Sequence, residues 1–236
     1  MKRPAGPALS PLSLAMALML AGCTGAVPPA PVLPVEQGLP GWTVEAEAGD
    51  AASVRAIGKT IDIDTPEGLS LWWNAPIDGP VAIEYDVMAV SEGGPNDAVS
   101  DVNAFWMATD PAAPGGSPLL YGRSGAFADY DTLQTYYVGI GGNRNGTTRM
   151  RRYVGEAGNR PIKPQHDRSD PDALLQPNRW TSVRLTADGG AVTVAYDGKP
   201  LFTMQDDQPY ESGWFAIRTT KSHLRIRNVR ITPLAD

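Results

Sequence analysis

The segment "YYVGIGGNRNGTTRMRRY", Tyr136 to Tyr153, contains four arginines, two asparagines and three tyrosines among glycines. The whole chain is acidic, with a formal net charge of −6, whereas a second segment, Arg218 to Arg230, contains five basic residues and no acidic one. If the two segments lie on neighbouring strands, they form one positive surface that concentrates an anionic ligand. Arginine suits this task because its planar guanidinium can donate two hydrogen bonds to one carboxylate or sulfate.

Strand alternation separates the residues of "TTRMRRYV" into two faces. Arg149, Arg151 and Tyr153 share one face, whereas Met150 and Val154 share the other. Because Met150 and Val154 are apolar, we expect their face to join the core and the arginine face to line a groove or to meet solvent. Arginines that meet solvent need no ligand, and this simpler interpretation stays open.

A strand face that combines aromatic, amide and cationic side chains suits a sugar ligand. Aromatic rings pack on the C–H groups of a pyranose, and amides exchange hydrogen bonds with its hydroxyls. Trp214 shares a strand face with Arg218, and Asn103 and Trp106 lie in the apolar segment "NAFWMAT". Core packing is the alternative for the two tryptophans. The candidate ligand-binding residues are Asn103, Trp106, Asn143, Asn145, Arg149, Arg151, Arg168, Trp214, Arg218 and His223.

The two histidines of the chain, His166 and His223, both lie beside the basic segments. Near pH 7 a neutral histidine can accept a proton, and a tyrosine can return one. We therefore consider β-elimination of a uronate-containing glycan, with His166 or Tyr153 as the base and Tyr137 as proton donor to the leaving oxygen. The arginines and asparagines would stabilise the charge that develops on the carboxylate. Alternatively, each histidine is a surface or loop residue with an ordinary hydrogen bond.

Glycoside hydrolysis is the competing reaction, and it usually requires two carboxylates about 5–9.5 Å apart. The sequence has no Glu-x-Asp-x-x-Glu pattern that would supply them from a single strand. Acidic residues from separate strands could still meet, so hydrolysis stays open.

The sequence lacks the motifs that are typical of several other functions. "GIGGNRNG" does not have the GxGxxG spacing of a dinucleotide site, and no CxxC, HExxH or GxSxG pattern occurs. We expect no cofactor, although loop aspartates could hold a structural Ca²⁺ in a β-rich fold. The acidic net charge argues against non-specific binding to nucleic acid, which depends on neutralising phosphates.

The N-terminus has the pattern of an export signal. Lys2 and Arg3 precede an apolar run, and "LAGC" ends at Cys23, the only cysteine. We expect residues 1–22 to be a signal peptide and Cys23 to be lipidated, which would anchor the exported protein to a membrane of the bacterial cell envelope. Residues 23–40 are rich in Pro and Ala and form the expected tether, and residues 41–236 the folded domain. An ordinary signal peptide with an incidental cysteine is the alternative.

Strand-like runs recur along residues 41–236 between turns rich in glycine and proline. The clearest runs are residues 81–90, 102–109, 180–186, 191–196 and 199–204. Asp197 and Gly198 suit a tight hairpin turn, and Asp170 with Pro171 suggests a short helical turn. We predict an all-β fold, a two-sheet antiparallel β-jelly roll.

The C-terminal pattern "PNRWTSVRL", "GGAVTVAYDGKPLF" and "GWFAIRTTKSHLRIRNVRI" resembles the closing half of concanavalin A-like lectin/glucanase jelly rolls. With "DVNAFWMATDP" and "YYVGIGGNRNGTTRMRRY", it is similar to a group of bacterial lipoproteins that share a domain of unknown function. This resemblance implies a carbohydrate ligand on the concave sheet. "YYVGIGGN" and Gln165–His166 are also similar to segments of jelly-roll alginate lyases, whose Gln-Ile-His segment is absent here.

These observations predict an exported, lipid-anchored protein that acts on an anionic polysaccharide. The first predicted function is a polysaccharide lyase that cleaves a uronic-acid-containing glycan. A non-catalytic glycan-binding lipoprotein and a jelly-roll glycoside hydrolase are the alternatives.

Overall fold

The computed structural model describes residues 1–2 and 39–235. The predicted lipidation site at Cys23 and most of the predicted tether lie outside the described residues. None of the helices in the described part of the chain has the length and apolar composition that crossing a bilayer requires.

Nearly all of the regular structure in residues 39–235 is β-strand. The strands are β1 (Trp42–Ala46), β2 (Ser53–Ile57), β3 (Thr60–Trp73), β4 (Ile77–Asp78), β5 (Val81–Ala89), β6 (Val102–Thr109), β7 (Gln134–Gly141), β8 (Thr147–Val154), β9 (Asp167–Arg168), β10 (Thr181–Asp188), β11 (Ala191–Tyr196), β12 (Lys199–Gln205) and β13 (Ser212–Pro233). Short helical turns connect some of them, at Gly49–Ala51, Pro114–Gly116, Phe127–Tyr130, Gly142–Asn145, Pro164–His166 and Pro171–Ala173.

Two long strands, β3 and β13, run through both sheets of the sandwich. They pair with each other, and the register shifts between Thr220 and Ser222 of β13, where Lys221 has a φ of 49°. Such a bulge bends a strand and increases its twist. Before the bulge, β13 belongs to a front sheet ordered β1–β3–β13–β6–β7–β8–β9. After it, β13 belongs to a back sheet ordered β2–β3–β13–β5–β10–β11–β12.

The main core lies between the two sheets. Val138 and Ile140 of the front sheet and Val87 and Leu185 of the back sheet are all buried in one apolar cluster. Each fully buried side chain of this size stabilises the fold by about 1.5–3 kcal/mol. The alternation of strand residues thus fixes which face of each sheet is left for a ligand.

A smaller aromatic cluster lies on the outer side of the front sheet. Its buried rings include Trp72, Phe105, Tyr130, Tyr137 and Tyr153. The long β6–β7 loop (residues 110–133) supplies Tyr130 and covers part of this face. Within residues 39–235, the loop therefore covers the part of the outer face that contains the aromatic cluster.

The predicted all-β jelly roll is confirmed, and most of the predicted strands are found within two residues of their expected bounds. Asp197 and Gly198 form the turn between β11 and β12, both with positive φ. The predicted helical turn is present at Pro171–Ala173. Residues Ser212–Pro233 form a single long strand, β13, because the bulge at Lys221 bends the chain without interrupting its pairing.

Candidate functional site

One cross-strand row brings the two basic segments together on the outer side of the front sheet. The register pairs Arg149 with Gly139, Gly139 with Asn103, and Asn103 with Arg218. Directly paired residues of antiparallel strands point to the same face of a sheet. Arg149 from the first basic segment and Arg218 from the second therefore lie on one face of four neighbouring strands.

A cleft of about 720 Å³ lies along this row. The cationic side chains that line it are Arg144, Arg149, Arg151, Arg160, Arg218 and Lys221. Among the residues that the structure describes, Asp101 supplies the only carboxylate in the lining. The cleft is therefore a concentrated positive site on an acidic protein, and such a site attracts anions.

Gly139 shapes the floor of the cleft. A Cβ atom at this position would overlap the hydroxyl of Tyr137 and lie 2.9 Å from Oδ1 of Asn103. The absence of a side chain on Gly139 therefore lets the Tyr137 hydroxyl and the Asn103 amide lie over the β7 backbone. Both groups line the cleft and can exchange hydrogen bonds with a sugar hydroxyl.

Among the described residues, three of the cleft arginines have no carboxylate partner: no ion pair within 4.0 Å involves Arg144, Arg151 or Arg218. Arg149 and Arg160, by contrast, pair with acidic residues: Nε of Arg149 lies 2.9 Å from Asp167 Oδ1, and Nε of Arg160 lies 2.5 Å from Asp131 Oδ1. The unpaired guanidiniums are available to an external anion.

Arg218 is the most deeply buried of these cations, with 2% of its surface exposed. It donates from Nη1 to Thr220 Oγ1 (2.7 Å) and from Nη2 to Gly125 O (3.2 Å), and its guanidinium carbon lies 4.7 Å from the centre of the Phe127 ring. Its Nε is buried without a hydrogen-bond partner among the described residues. Because a buried charge is costly unless it is paired, Arg218 is suited to an anion that arrives from outside.

The β6–β7 loop forms one wall of the cleft through Phe127. The guanidinium of Arg160 lies 4.4 Å from the centre of this ring, and Arg218 contacts the same ring. Arg160 is itself fixed by two bonds to Asp131 of the loop, at 2.5 and 3.0 Å. Cation–π contacts and this ion pair thus hold the loop against the arginine-rich face.

The turn Gly142–Asn145 forms the end of the cleft. Asn143, Arg144 and Asn145 all have positive φ values, from 54° to 59°, which cost roughly 1–2 kcal/mol for each residue other than glycine. Asn145 stabilises the turn by bonding both the N–H and the C=O of Leu175 at 2.9 Å. Asn145, which the sequence suggested as a ligand-binding residue, therefore holds the turn, while Asn143 and Arg144 line the cleft.

Of the tyrosines predicted to be catalytic, Tyr137 lines the cleft and Tyr153 does not. Their rings pack 5.5 Å apart in the aromatic cluster. Burial raises the pKa of Tyr137 well above its ordinary range, and the nearby Arg218 lowers it only in part. Burial likewise raises the pKa of Tyr153, whose hydroxyl has no hydrogen-bond partner among the described residues. Both hydroxyls are therefore protonated at neutral pH.

His166 does not line the cleft, although the cavity that it lines instead is bordered by Arg151 and Arg152 of β8. The histidine is buried, with Nε2 3.0 Å from Thr203 O and its ring against Phe202. It lines a separate cavity of about 450 Å³ together with Met150, whose side chain leaves β8 on the face opposite to Arg149.

His223 is held between two carboxylates and does not line the cleft. Nε2 lies 3.0 Å from Asp62 Oδ2, and Nδ1 lies 2.9 Å from Asp97 Oδ1. Although burial lowers the pKa of His223, the hydrogen bonds to Asp62 and Asp97 outweigh that effect and raise it above its ordinary value of 6.5. The residue joins β13 and β3 to the loop that follows β5.

Three further candidates are structural. Trp106 lies wholly in the main core and donates to Thr186 O at 3.3 Å. Trp214 is half-buried against the aromatic cluster beside Ala108, outside the cleft lining. Arg168 forms a two-bond ion pair with Asp170 at 2.6 and 2.8 Å, away from the cleft. Core packing therefore describes Trp106, whereas Trp214 keeps part of its surface exposed on the outer face of the front sheet.

The cleft also contains residues that the sequence did not suggest individually, namely Asp101, Phe127, Arg144, Arg160 and Lys221. Arg144 and Lys221 lie within the two basic segments and Arg160 follows the first one by seven residues, so their charge was a usable signal. Phe127 and Asp101 lie in loops and have no pattern that distinguishes them. Within residues 1–2 and 39–235, no group of three or more His, Cys, Asp or Glu side chains is arranged to hold a metal ion.

Comparison with solved structures gives the same fold at low sequence identity. The carbohydrate binding module CBM66 from Bacillus subtilis is 10% identical, with 81% of this chain and 94% of that chain covered and a TM-score of 0.54. A Bacillus subtilis protein of unknown function with a galectin-like fold is 13% identical, with 80% and 88% covered and a TM-score of 0.57. The exoplasmic/lumenal domain of VIP36, bound to Ca²⁺ and Man3GlcNAc, is 14% identical, with 87% and 89% covered and a TM-score of 0.53.

These identities establish likeness of fold alone. No curated protein matches the chain. The model of the DUF6250 family, a domain of unknown function, matches residues 63–229, which include every residue that lines the cleft. The chain therefore belongs to the DUF6250 family and has a galectin-like jelly-roll fold.

Proposed function

We propose that the protein binds an anionic, uronate-containing polysaccharide in the cleft. The observation that carries this proposal is the set of three arginines, Arg144, Arg151 and Arg218, that line one cleft without a carboxylate partner among the described residues. A carboxylate that accepts two hydrogen bonds from a guanidinium forms one of the stronger polar contacts available to a ligand.

The neutral groups of the cleft support a sugar rather than a small inorganic anion. Asn103 and Tyr137 offer an amide and a hydroxyl beside the arginines, and Phe127 offers an aromatic ring. These are the groups that bind sugar hydroxyls and C–H faces. The fold adds support, because two proteins of similar fold are a carbohydrate binding module and a domain bound to Man3GlcNAc.

Isothermal titration calorimetry with oligogalacturonates, oligoglucuronates and oligomannuronates, and with neutral cello-oligosaccharides, tests this proposal. We expect at least one uronate series to bind and the neutral series to bind far more weakly. Arg151→Gln should lower the affinity about tenfold or more, because a hydrogen bond to a charged group contributes roughly 1.5–3 kcal/mol. Equal binding of neutral and anionic oligosaccharides would contradict the proposal.

Arg230→Gln is the matched control. This substitution removes the same charge as Arg151→Gln. The Arg230 side chain, however, is 67% exposed and lies 3.8 Å from Glu84 on the outer face of the back sheet. Its replacement should leave the affinity within the error of the measurement. If both variants bound equally weakly, only the net charge of the protein would matter and the cleft would not be the site.

β-Elimination of the bound uronate chain is the second candidate function. Tyr137 supports it, since its protonated hydroxyl lines the cleft and could protonate a leaving oxygen. Binding without cleavage is favoured because neither His166 nor Tyr153, the predicted bases, lines the cleft. New ultraviolet absorbance from unsaturated uronates during incubation, lost in Tyr137→Phe, would establish elimination. Unchanged absorbance with retained binding would exclude it.

Hydrolysis receives less support from the same lining. The reaction usually requires two carboxylates about 5–9.5 Å apart, and Asp101 is the only one among the described residues that line the cleft. The release of reducing ends without new ultraviolet absorbance would nevertheless indicate hydrolysis.

We also propose that the domain is presented at the bacterial cell envelope through lipidated Cys23. The support is the sequence pattern alone, "LAGC" after a basic start and an apolar run. Incorporation of labelled palmitate into the protein in cells, and its loss in Cys23→Ser, would test this. Equal labelling of the two proteins would contradict it.

A further inference from the structure

The cross-strand row that carries the cleft is closed at one end. Beyond Arg218, the row continues through Ser70 of β3 to Glu45 of β1, which are 0% and 6% exposed. Neither residue lines the cleft. The outer face of the front sheet is therefore accessible over β8, β7 and β6 and covered over β3 and β1.

The cover is the β6–β7 loop, and it touches the backbone of the strands beneath it. A Cβ atom at Gly125 would lie 2.5 Å from the backbone N of Glu47, and one at Gly68 would overlap the carbonyl oxygen of Gly125. Arg123 N and the Tyr130 hydroxyl both donate to Glu45 at 2.8 Å. The gap between the loop and the strands is too narrow for a sugar chain.

The opposite end of the row is open. Arg149 on β8 has a side chain that is 32% exposed, and the neighbouring turn presents the exposed residues Asn143 and Arg144. The backbones of Arg149 and Arg218 are separated by three strand spacings of about 4.8 Å, or roughly 14 Å. The Arg149 guanidinium bonds Asp167 on β9, the strand on the far side of β8 from Arg218, so the two cationic groups do not approach each other. The backbone separation exceeds the width of one pyranose ring, so a ligand in contact with both arginines spans more than one sugar residue.

We propose that the cleft binds the end of a uronate chain, with the terminal residue against Arg218 and the rest of the chain leaving over β8. This inference rests on the proposed function and specifies its ligand as a chain terminus. An internal stretch of polymer would have to continue past Arg218, where the β6–β7 loop meets the strands.

Two buried atoms at the closed end determine which hydrogen-bonding groups the terminal sugar residue must supply. Arg218 Nε lacks an acceptor and Asn103 Oδ1 lacks a donor among the described residues. The two residues are directly paired across β13 and β6, so their Cβ atoms lie about 4.5–5.5 Å apart. A uronate carries an acceptor carboxylate and a donor hydroxyl on one ring. It can satisfy both atoms at once, whereas a neutral sugar supplies no charge for Arg218.

The number of protein molecules bound per chain tests the proposal with the unmodified protein. Size fractions of oligogalacturonates and oligoglucuronates of increasing length are titrated in a calorimeter, and the stoichiometry is expressed per chain. End binding predicts the same number of proteins per chain at every length. A number that rises in proportion to length would overturn the proposal and leave the proposed function intact. Failure of every uronate oligosaccharide and polymer to bind would instead contradict the proposed function itself.

A pair of variants locates the terminal residue. Asn103→Ala should lower the affinity for monomeric galacturonate or glucuronate by about the same factor as for the oligomers, because every ligand has a terminal residue. Arg149→Gln should weaken the oligomers several-fold more than the monomers, since Arg149 contacts a later sugar. If Asn103→Ala weakened the oligomers more than the monomers, and Arg149→Gln weakened both by the same factor, the proposed orientation of the chain would be wrong. Melting temperatures verify that each variant is folded. The stoichiometry test uses the unmodified protein and does not depend on the folding of either variant.

Discussion

Gly139 lies directly beneath the hydroxyl of Tyr137, two residues away on β7, and beside the amide of Asn103 on β6. A methyl group at this position would displace both side chains, since cores and tightly packed surfaces accommodate an added carbon only by shifting their neighbours. We expect Gly139→Ala to lower the affinity for uronate oligosaccharides about tenfold or more, as measured by calorimetry.

Gly142→Ala is the control for this prediction. It adds the same methyl group to the same cleft, but the nearest atom to its Cβ would be Thr147 O, at an ordinary contact distance of 3.7 Å. This variant should retain most of the affinity. Unchanged binding by Gly139→Ala would mean that the ligand does not reach the floor of the cleft at β7.

The buried carboxylate of Glu45 binds the β6–β7 loop to β1 through hydrogen bonds from Arg123 N and the Tyr130 hydroxyl. Removal of this carboxylate should therefore destabilise the fold. Burial raises the pKa of Glu45, and the carboxylate accepts hydrogen bonds from Trp72 Nε1, the Tyr130 hydroxyl and Arg123 N, all at 2.8 Å. Glu45→Ala would leave these donors without an acceptor. We expect the free energy of unfolding to fall by about 2–4 kcal/mol in urea denaturation.

Glu47→Ala is the matched comparison for Glu45→Ala. Glu47 is exposed and accepts a single backbone hydrogen bond, from Gly68 N at 3.1 Å. Its replacement should change the free energy of unfolding by less than about 1 kcal/mol. Equal losses in the two variants would show that burial of the Glu45 carboxylate does not anchor the loop.

The fold and one face of the site could be predicted because both depend on local alternation. A period of two residues along β8 separates Met150 from Arg149 and Arg151, and the structure buries Met150 and leaves both arginines at the cleft. The same period placed Asn103 on one face of β6 and Trp106 on the other, where the main core encloses the tryptophan. Alternation alone does not say which of two faces meets a second sheet, so Trp106 was assigned to the ligand.

The rest of the site depends on contacts between distant parts of the chain. That Asn103 pairs with both Gly139 and Arg218 is a property of the sheet register, which no local pattern encodes. The cover over β3 and β1 depends on a loop without regular strands. His166 follows the arginine-rich strand in sequence and shares a cavity with Arg151 and Arg152 of that strand, but its ring bonds Thr203 O on β12 and lies outside the cleft. Nearness in sequence therefore does not say which face of β8 a residue reaches.

Electrostatic attraction by the cleft should make binding depend on salt. At an ionic strength of 0.1 M the screening length is about 10 Å, so exposed cations such as Arg144 act over a distance that added salt shortens. We expect the affinity for uronate oligosaccharides to fall as NaCl is raised, and Arg144→Gln to reduce this dependence. Lys59→Gln, which removes a charge far from the cleft lining, should leave the dependence unaltered. An affinity that is insensitive to salt would contradict a ligand held by these charges.

The pairing of His223 with Asp62 and Asp97 should make the stability of the protein depend on pH above about 6.5, the ordinary pKa of histidine. Burial lowers the pKa of His223, but hydrogen bonds to the two carboxylates, together with the charge of Asp64, outweigh it and place the folded value above 6.5. A pKa raised by folding contributes stability that is complete below the unfolded value and is lost as the pH rises through the folded value. Asp62 also lies 3.3 Å from Nε of Arg225 and 3.3 Å from Nη2 of Arg55, so it keeps two cationic partners when the imidazole loses its proton.

Urea denaturation between pH 6 and pH 9 measures this contribution. We expect wild-type stability to decline over that range relative to His223→Gln, which has no proton to lose at this site. Asp97 holds the N–H groups of Glu92 and Gly94, so loss of its bond to His223 should also speed amide hydrogen exchange in residues 91–101 at the higher pH. Parallel stability curves for the two proteins would show that folding does not raise the pKa of His223.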